Sequence, residues 1–399
     1  MRRTIFNIVV VFIALLSLNA CSNYSGVPSS YHQLLDEAFQ KAGKNSAELK
    51  KALTSAPADQ KEAMAFLIAY MPERDLNELT AAFLIENVAV AYQAREKFEW
   101  SKNIPDSVFF NDVLPYVSMN ERRDNWRKDF FDRFTKYVSD CKDIRSAIDS
   151  VNKNIRDELL VDYNTKREKP DQSPYESMEQ NMASCSGLSI LLTDAFRAVG
   201  IPSRIAGTPN WHDKRGNHNW NEVWIDGEWY FTEYYPSGLN KSWFLADAGK
   251  ADAKNMEHAI FATSFKPADY HFPMVWDLEL KYVPGENVTA RYIRLFKEQE
   301  AEKEIAATHT LVKVMMFREQ ACSFQGDDRV EVNVDVFSGK DQVGGGRTAG
   351  PTQDMNDVLE FKLKRNKEYA FNYVADGGKF KSIKLKLGDE PTTLKLYFK

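Results

Sequence analysis

Apolar residues recur at helical spacing through the first third of the chain. The first such face consists of Leu34, Leu35, Ala38 and Phe39. A spacing of three to four positions is typical of an amphipathic helix with one buried side. The same spacing returns in residues 76–98 and in residues 126–163. We therefore expect a helical region over residues 22–125 and a further helix that opens the next domain at residue 126.

A second apolar stretch predicts a helix that is buried on most of its sides. Nearly every position from Leu188 to Val199 is apolar or small, and Gly200 and Pro202 follow directly. Glycine ends helices in the left-handed conformation, and proline prevents their continuation. Cys185 is then expected at the first turn, where the helix dipole and the free backbone N–H groups favour a thiolate.

The pattern changes to a period of two after residue 217. Asp226-Gly227 separates two runs rich in aromatic residues, which predicts a hairpin with a two-residue turn. In that register Ile225 faces Glu228, Trp220 faces Glu233 and His218 faces Tyr235. His218 and Glu233 become diagonal cross-strand neighbours, with roughly 7–8 Å between their backbones.

This hairpin suggests a nucleophile, a base and an orienting acid. The thiolate of Cys185 would meet the imidazole of His218, whose other nitrogen Glu233 would hold. Glu222 points to the same face of the hairpin and is a rival carboxylate, so that geometry alone does not choose between the two acids.

Strand-like alternation dominates the last third of the chain. It is clearest in residues 330–336, 361–374, 380–388 and 392–398. Short strands at such intervals predict an antiparallel β-sandwich-like domain over residues 266–399. No catalytic group of residues stands out there, so this domain is interpreted as a packing module or as a substrate- or cell-wall-binding module.

Composition and charge narrow the classes of function. The 399 residues are 43% hydrophobic and 27% charged, which is enough for two or three hydrophobic cores. The net charge of −5 gives no reason to expect nucleic acid as a partner.

The N-terminus reads as a targeting segment over residues 1–21. Arg2 and Arg3 precede a short apolar stretch, and Leu18-Asn19-Ala20-Cys21 resembles a bacterial lipobox. The motif predicts a lipoprotein that is lipid-modified at Cys21 and attached to a membrane of the bacterial cell envelope, on its periplasmic or surface side. An ordinary signal peptide is the alternative.

The remaining cysteines are Cys141, Cys185 and Cys322. Their odd number leaves at least one free thiol, while Cys141 and Cys322 could pair across two predicted domains. The sequence around Cys185 lacks the CxxC, HxxxH and HxxE spacings of metal sites. We therefore expect neither a metal nor another cofactor.

The motif around Cys185 resembles the transglutaminase-like superfamily of papain-type cysteine enzymes. The resemblance rests on a cysteine at a helix start, then FRAVGIPSRIAG, then H-x-W-x-E-V-W-x-D-G-x-W and an acidic residue. It implies that Cys185, His218 and Glu233 occupy the family's Cys, His and Asp positions, with Glu in place of Asp. It also implies a structural role for Glu222.

The resemblance implies an α+β architecture, with a papain-like transglutaminase core of one helix and an antiparallel sheet over residues 126–265. The implied activity is that of a cysteine hydrolase or acyltransferase acting through a Cys185 thioester. Its substrate would be a peptide, protein or peptidoglycan-like amide. The alternatives are an amine-accepting cross-linking enzyme and a non-catalytic cleft-binding envelope lipoprotein. Gln180 or Asn181 would be a further oxyanion donor beside the Cys185 backbone N–H.

Overall fold

The computed structural model describes residues 24–322, 328–353 and 358–399. The targeting segment and Cys21 therefore lie outside the described residues. The chain forms two compact units, the first ending at Arg294 and the second spanning Leu295–Lys399. Within the described residues, no helix has both the length and the apolar character needed to cross a membrane.

The first unit begins with α-helices, as the spacing of apolar residues predicts. They are α1 (His32–Lys41), α2 (Ser46–Ser55), α3 (Lys61–Tyr70), α4 (Glu73–Glu78), α5 (Ala81–Lys97), α6 (Glu99–Lys102) and α7 (Asp106–Asp112). Leu35 and Phe39 lie on the buried side of α1 and pack with residues of α3 in one hydrophobic core. Burial of such amphipathic faces stabilises short helices that would be marginal in isolation.

Two helices, not one, occupy residues 126–163. They are α8 (Arg127–Val138) and α9 (Ile144–Leu159). The polar residues between them end α8, and Asp143 begins α9 by accepting a hydrogen bond from the backbone N–H of Ser146 at 2.8 Å. The expected apolar face of α9 is buried, with Ala147, Ile148 and Val151 in a core shared with the next long helix.

The rest of the first unit combines helices with an antiparallel sheet. Its helices are α10 (Pro174–Gln180), α11 (Cys185–Ala198) and α12 (Leu245–Ala248). Its strands are β1 (Asp162–Tyr163), β2 (Met182–Ala183), β3 (Ser203–Thr208), β4 (His218–Ile225), β5 (Glu228–Thr232), β6 (Phe261–Thr263), β7 (Tyr270–His271) and β8 (Pro284–Asn287). Strands β1 and β2 form a small parallel pair. The other six form one sheet in the order β5-β4-β3-β6-β8-β7, and α11 packs against β3 and β4.

Two buried arginines tie α8 and α11 to the segment between α7 and α8. Arg127 donates hydrogen bonds to the carbonyls of Leu114 and Pro115, at 3.0 and 2.8 Å. Arg197 donates to the carbonyl of Val117 at 3.0 Å and to that of Ser203 at 3.0 Å. Because buried polar groups need such partners, these bonds fix the position of α11 against the N-terminal helices.

Residues 266–294 lie in the first unit, although the alternation of apolar residues assigned them to the C-terminal domain. The physical reason is strand pairing, since β8 pairs with β6 and β7 pairs with β8. The boundary expected at residue 266 is therefore found at Arg294.

The second unit is a two-sheet β structure, and the helix before it, which the alternation did not predict, begins in the first unit. The elements are α13 (Thr289–Thr308), β9 (His309–Phe317), β10 (Asn333–Ser338), β11 (Asp341–Arg347), β12 (Leu359–Lys364), β13 (Glu368–Val374), β14 (Phe380–Lys386) and β15 (Thr392–Tyr397). The sheets have the orders β11-β10-β13-β14 and β12-β9-β15. Val314, Val334 and Phe371 are buried in a core between them, which confirms the sandwich-like architecture. One pair differs from the expected antiparallel pattern, because β15 runs parallel to β9.

Candidate active site

Cys185 is the first residue of α11, as the sequence predicts. Ser184 caps the helix, because its hydroxyl oxygen accepts a hydrogen bond from the backbone N–H of Gly187 at 3.1 Å. The free N–H groups and the dipole of this first turn favour negative charge on the sulfur. Gly200 has a φ of +73° and ends the helix in the left-handed conformation.

The hairpin of β4 and β5 has the predicted register through its paired length. Ile225 lies opposite Glu228, and Asn221 lies opposite Thr232. Asp226 and Gly227 form the turn, with φ values of +50° and +99°. β5 ends at Thr232, so Glu233 lies just beyond the strand pairing that was expected to include it.

His218 contacts both Cys185 and Glu233. Its Nε2 lies 2.9 Å from Oε1 of Glu233, and its ring lines the same cavity as the Cys185 thiol, which raises the pKa of the imidazole. Since Nε2 faces the carboxylate, Nδ1 is the ring nitrogen left for the sulfur. The structure therefore brings the three predicted residues together in the predicted order.

Glu233 has two further partners that fix its position. The hydroxyl of Ser242 donates a hydrogen bond to Oε2, the oxygen that does not face His218. The side-chain amide of Asn152, on α9, donates to the backbone carbonyl of Glu233 at 2.9 Å. Sequence reasoning did not identify Ser242, since a single serine in a loop has no distinguishing pattern.

The site favours a thiolate beside a protonated imidazole. Burial acts to raise the pKa of the Cys185 thiol, but the hydrogen bond and the charge of His218 outweigh it and hold the pKa below the ordinary thiol value. The backbone amide of Asn219 and the hydroxyl of Ser186 act in the same direction. Burial acts to lower the pKa of His218, but its bonds to Cys185 and Glu233 raise it to about 9.

Glu222, the rival carboxylate, is engaged elsewhere. It is fully buried, and its Oε2 accepts a hydrogen bond from Nε of Arg204 at 2.9 Å. Its Oε1 is paired with Arg291 and accepts a hydrogen bond from the hydroxyl of Tyr292 at 2.7 Å. Its carboxylate thus neutralises buried guanidinium groups, and Glu233 is the acid at His218.

The three residues face a cavity of about 420 Å³ whose lining includes three tyrosines and two tryptophans. The lining consists of Tyr163, Cys185, Leu188, Ser189, Asn217, His218, Asn219, Trp220, Glu233, Tyr234, Tyr235 and Trp243. Trp211 does not line this cavity, because it is buried and stacks on Trp220 with ring centroids 6.0 Å apart. Trp243 is the exposed indole of this cavity.

Neither residue expected as an oxyanion donor lines this cavity. The side-chain oxygen of Gln180 accepts a hydrogen bond from the backbone N–H of Glu168 at 3.2 Å. The side-chain amide of Asn181 donates to the carbonyl of Leu160 at 3.0 Å. Both side chains stabilise the connection around α10, which lies before the helix that carries Cys185.

Cys141 is a free thiol in the structure, so it is not paired with another cysteine. Its sulfur lies 3.8 Å from the backbone carbonyl of Tyr137. Among the residues that the structure describes, no group of three His, Cys, Asp or Glu side chains is arranged to hold a metal ion.

Comparison with known families confirms the resemblance of the central segment. Residues 132–234 match the model of the transglutaminase-like superfamily, and this match spans about a quarter of the chain. No curated protein matches the chain.

Three solved structures illustrate the structural similarity. One, from Cytophaga hutchinsonii, is described as a candidate cysteine protease; it is 15% identical with a TM-score of 0.28, over 49% of this chain and 68% of its own. The red sea bream transglutaminase is 9% identical with a TM-score of 0.27, over 75% of this chain and 64% of its own. The Bacillus anthracis TIE protein is 10% identical with a TM-score of 0.17, over 49% of this chain and 30% of its own. At these values the structures carry no argument about activity.

Proposed function

We propose that the transglutaminase-like core over residues 132–234 supports a cysteine enzyme that cleaves a peptide-like amide through a thioester. The observation that carries the proposal is His218, held between the Cys185 thiol and Oε1 of Glu233 at 2.9 Å. A nucleophile, a base and an orienting acid in this order are the requirement for covalent acyl transfer.

The proposed reaction has two stages. In the first, the Cys185 thiolate attacks the amide carbonyl, and the imidazolium of His218 gives its proton to the leaving amine. The C–N bond breaks and a thioester remains on the sulfur. In the second, neutral His218 takes a proton from water, which attacks the thioester and releases a carboxylic acid. Glu233 holds the ring and stabilises its charge, and no cofactor takes part.

Water is the proposed acceptor, in keeping with the bacterial hydrolases that the motif resembles. A primary amine in place of water would give protein cross-linking, the alternative acyl transfer. A non-catalytic binding cleft was suggested only by the Glu at the acid position. Since Glu233 reaches His218 at 2.9 Å and is held by Ser242, its extra methylene group does not remove the acid from the site.

The proposed location is the bacterial cell envelope, with a lipid anchor at Cys21. The lipobox-like tetrapeptide Leu18-Asn19-Ala20-Cys21 supports it. Peptides, proteins or peptidoglycan-like amides of the envelope are then the proposed substrates.

A thiol alkylator at neutral pH tests the proposed chemistry. The activated thiolate of Cys185 should react faster than Cys141, the matched control with a free thiol on the same unit. His218→Ala should slow alkylation of Cys185 and leave that of Cys141 unchanged. If both thiols of the native protein react at the same rate, Cys185 and His218 do not form the proposed ion pair.

Turnover is tested with envelope-derived peptides and peptidoglycan fragments, followed by mass spectrometry. Cys185→Ala should abolish hydrolysis with an unchanged melting temperature, whereas Cys141→Ala should retain it. Substantial hydrolysis by Cys185→Ala would exclude the thioester. Incorporation of a labelled amine faster than hydrolysis would instead favour the cross-linking alternative.

A further inference from the structure

Three exposed aromatic side chains line the cavity beside Cys185. Trp243 is 61% exposed, Tyr163 is 51% exposed and Tyr235 is 45% exposed. Large aromatic side chains at such exposure lose the free energy that their burial would contribute. Their clustering on one concave surface is the arrangement expected of a site that binds an apolar group.

Trp243 is held in place by the residues behind it. Its ring contacts Trp211 edge-on at 6.2 Å and Phe244 edge-on at 5.9 Å between centroids. Its neighbour Ser242 is hydrogen-bonded to Glu233, which fixes the backbone on the other side. Because these contacts restrict the indole, a ligand that stacks on it has less side-chain freedom to immobilise.

Among the residues that the structure describes, none that lines the cavity offers a substrate an unpaired charge. The charged groups in its lining are Cys185, His218 and Glu233, and each is paired with another of the three. A carboxylate or ammonium group that entered the cavity would lose water without gaining an ion pair. An uncharged group is therefore favoured.

The hydroxyl of Tyr235, one of the three tyrosines that line the cavity, already has two partners within the protein. The hydroxyl of Tyr235 donates to Oδ1 of Asp162 at 3.0 Å and accepts from the backbone N–H of Tyr163 at 2.9 Å. Tyr235 therefore offers a ligand the face of its ring rather than its hydroxyl. A sugar ring needs several hydrogen bonds around its stacked face, so the Tyr235 ring suits an aromatic or large aliphatic side chain better.

The position of Trp243 indicates on which side of the scissile bond the apolar side chain of the substrate lies. The ring centroids of Trp243 and His218 are 5.2 Å apart. His218 delivers the proton to the leaving nitrogen in the proposed reaction, so Trp243 lies where the amine side of the substrate is released.

Resting on the proposed function, we propose that Trp243 forms a subsite for an uncharged aromatic or large aliphatic side chain on the residue that supplies the leaving amine. The substrate class is thus a peptide amide cleaved immediately before such a residue. A residue that stacks on the indole should raise kcat/KM by about tenfold over alanine.

The test uses capped alanine peptides that carry a single Phe, Leu, Glu, Lys or Ala at the central position. Mass spectrometry identifies the bond cleaved and the rate for each peptide. The native protein should cleave before Phe or Leu about tenfold faster than before Glu, Lys or Ala. Trp243→Ala should reduce the ratio of Phe to Ala turnover to about one, and Trp243→Phe should retain part of it.

Tyr270→Ala is the matched control, because Tyr270 is an exposed aromatic residue on β7, at the far edge of the same sheet. It should leave the Phe to Ala ratio unchanged. The same peptides are titrated onto Cys185→Ala by calorimetry, which measures the subsite without turnover. There the Phe peptide should bind about tenfold more tightly than the Glu peptide.

Several results would overturn the proposal. Cleavage with no preference, a preference that survives Trp243→Ala, or cleavage after Phe would exclude this subsite and leave the thioester chemistry standing. Tighter binding of an amino-sugar-bearing peptide than of the Phe peptide would favour a sugar subsite instead. A native protein that is neither alkylated at Cys185 nor active on any peptide would overturn the proposed function, and the amine-side assignment with it.

Discussion

Glu233 occupies a position where the resembling family has aspartate, and its surroundings fit the longer side chain. One carboxylate oxygen faces His218 at 2.9 Å and the other accepts a hydrogen bond from Ser242. Both oxygens are thereby committed, and the orientation of the imidazole follows from that of the carboxylate.

Glu233→Gln is expected to lower kcat with little change in melting temperature. The amide no longer stabilises the imidazolium or selects its tautomer, and the equivalent loss in a serine protease costs about 10⁴-fold. Glu233→Asp should retain much of the activity. Steady-state kinetics and thermal unfolding of each variant measure the two effects.

The matched control for this variant is Glu222→Gln. Its carboxylate lies between buried guanidinium groups, so loss of its charge should cost on the order of 3 kcal/mol in the free energy of unfolding. Urea denaturation measures that loss. If Glu222→Gln folds normally and loses more turnover than Glu233→Gln, the assignment of the two acids is wrong.

Ser242→Ala is expected to lower kcat by about tenfold with KM nearly unchanged, because a lost hydrogen bond to a charged carboxylate is worth about 1.5 kcal/mol. Ser242→Thr keeps the hydroxyl and should restore most of the rate. Kinetics of the two variants on the same peptide separate positioning from general destabilisation. A rate in Ser242→Thr as low as in Ser242→Ala would argue against a role for the hydroxyl.

Activity should follow a bell-shaped pH profile. The pKa of Cys185 is lowered, so the rate rises with pH through a value below that of an ordinary thiol as the thiolate forms. The pKa of His218 is raised to about 9, so the imidazolium is lost and the rate falls as the pH passes through about 9. The dependence of kcat/KM on pH measures both limbs. Their apparent pKa values belong to the coupled pair of Cys185 and His218 and not to either residue alone. An alkaline limb near pH 6.5 would contradict the pairing of His218.

At the scale of elements, the sequence predicts those turns and helix ends that depend only on residues close together in the chain. The turn residues Asp226-Gly227 fix the hairpin register, and Gly200 ends α11 as expected. The sequence does not show that β5 stops at Thr232 or that Ser242 meets Glu233, since neither the end of a strand pairing nor a contact within the following loop has a sequence pattern. Exposure of Trp243 is likewise a tertiary property, and its sequence pattern resembles that of a core aromatic residue.

The cap of α11 should matter to the reactivity of Cys185. Ser184→Ala removes the hydrogen bond to the N–H of Gly187, which costs about 1 kcal/mol and loosens the first turn. The alkylation rate of Cys185 at neutral pH should fall. Ser173→Ala is the matched control, because Ser173 caps α10 in the same way and should leave that rate unchanged. Equal slowing in both variants would indicate a general loss of stability.

At the scale of the whole molecule, the fold class follows from periodicity but the domain boundary does not. The alternation of apolar residues in residues 266–294 resembles that of the later strands. Only the pairing of β8 with β6 shows that this segment lies in the first unit. The helix α13 has no buried apolar face, since only Thr289 and Tyr292 of its residues are buried, and helical periodicity is therefore a weak signal there.

The lipid anchor remains a prediction about the whole molecule, because Cys21 lies outside the described residues. Cys21→Ser should be released from the membrane fraction and should keep the unprocessed N-terminus. Fractionation of cells and mass spectrometry of the purified chain measure both. A variant that is processed and membrane-bound like the native protein would exclude lipidation at Cys21.

The buried arginines have a consequence for how this protein can change in evolution. The family signature covers residues 132–234, yet Arg197 within it donates to the carbonyl of Val117, and β3 within it pairs with β6. A gene exchange that transplanted the signature alone would leave the Arg197 guanidinium without its acceptor at Val117 and strand β3 without its partner β6. Transfer of this site to another protein therefore requires the whole first unit up to Arg294, although the signature covers fewer than half of its residues.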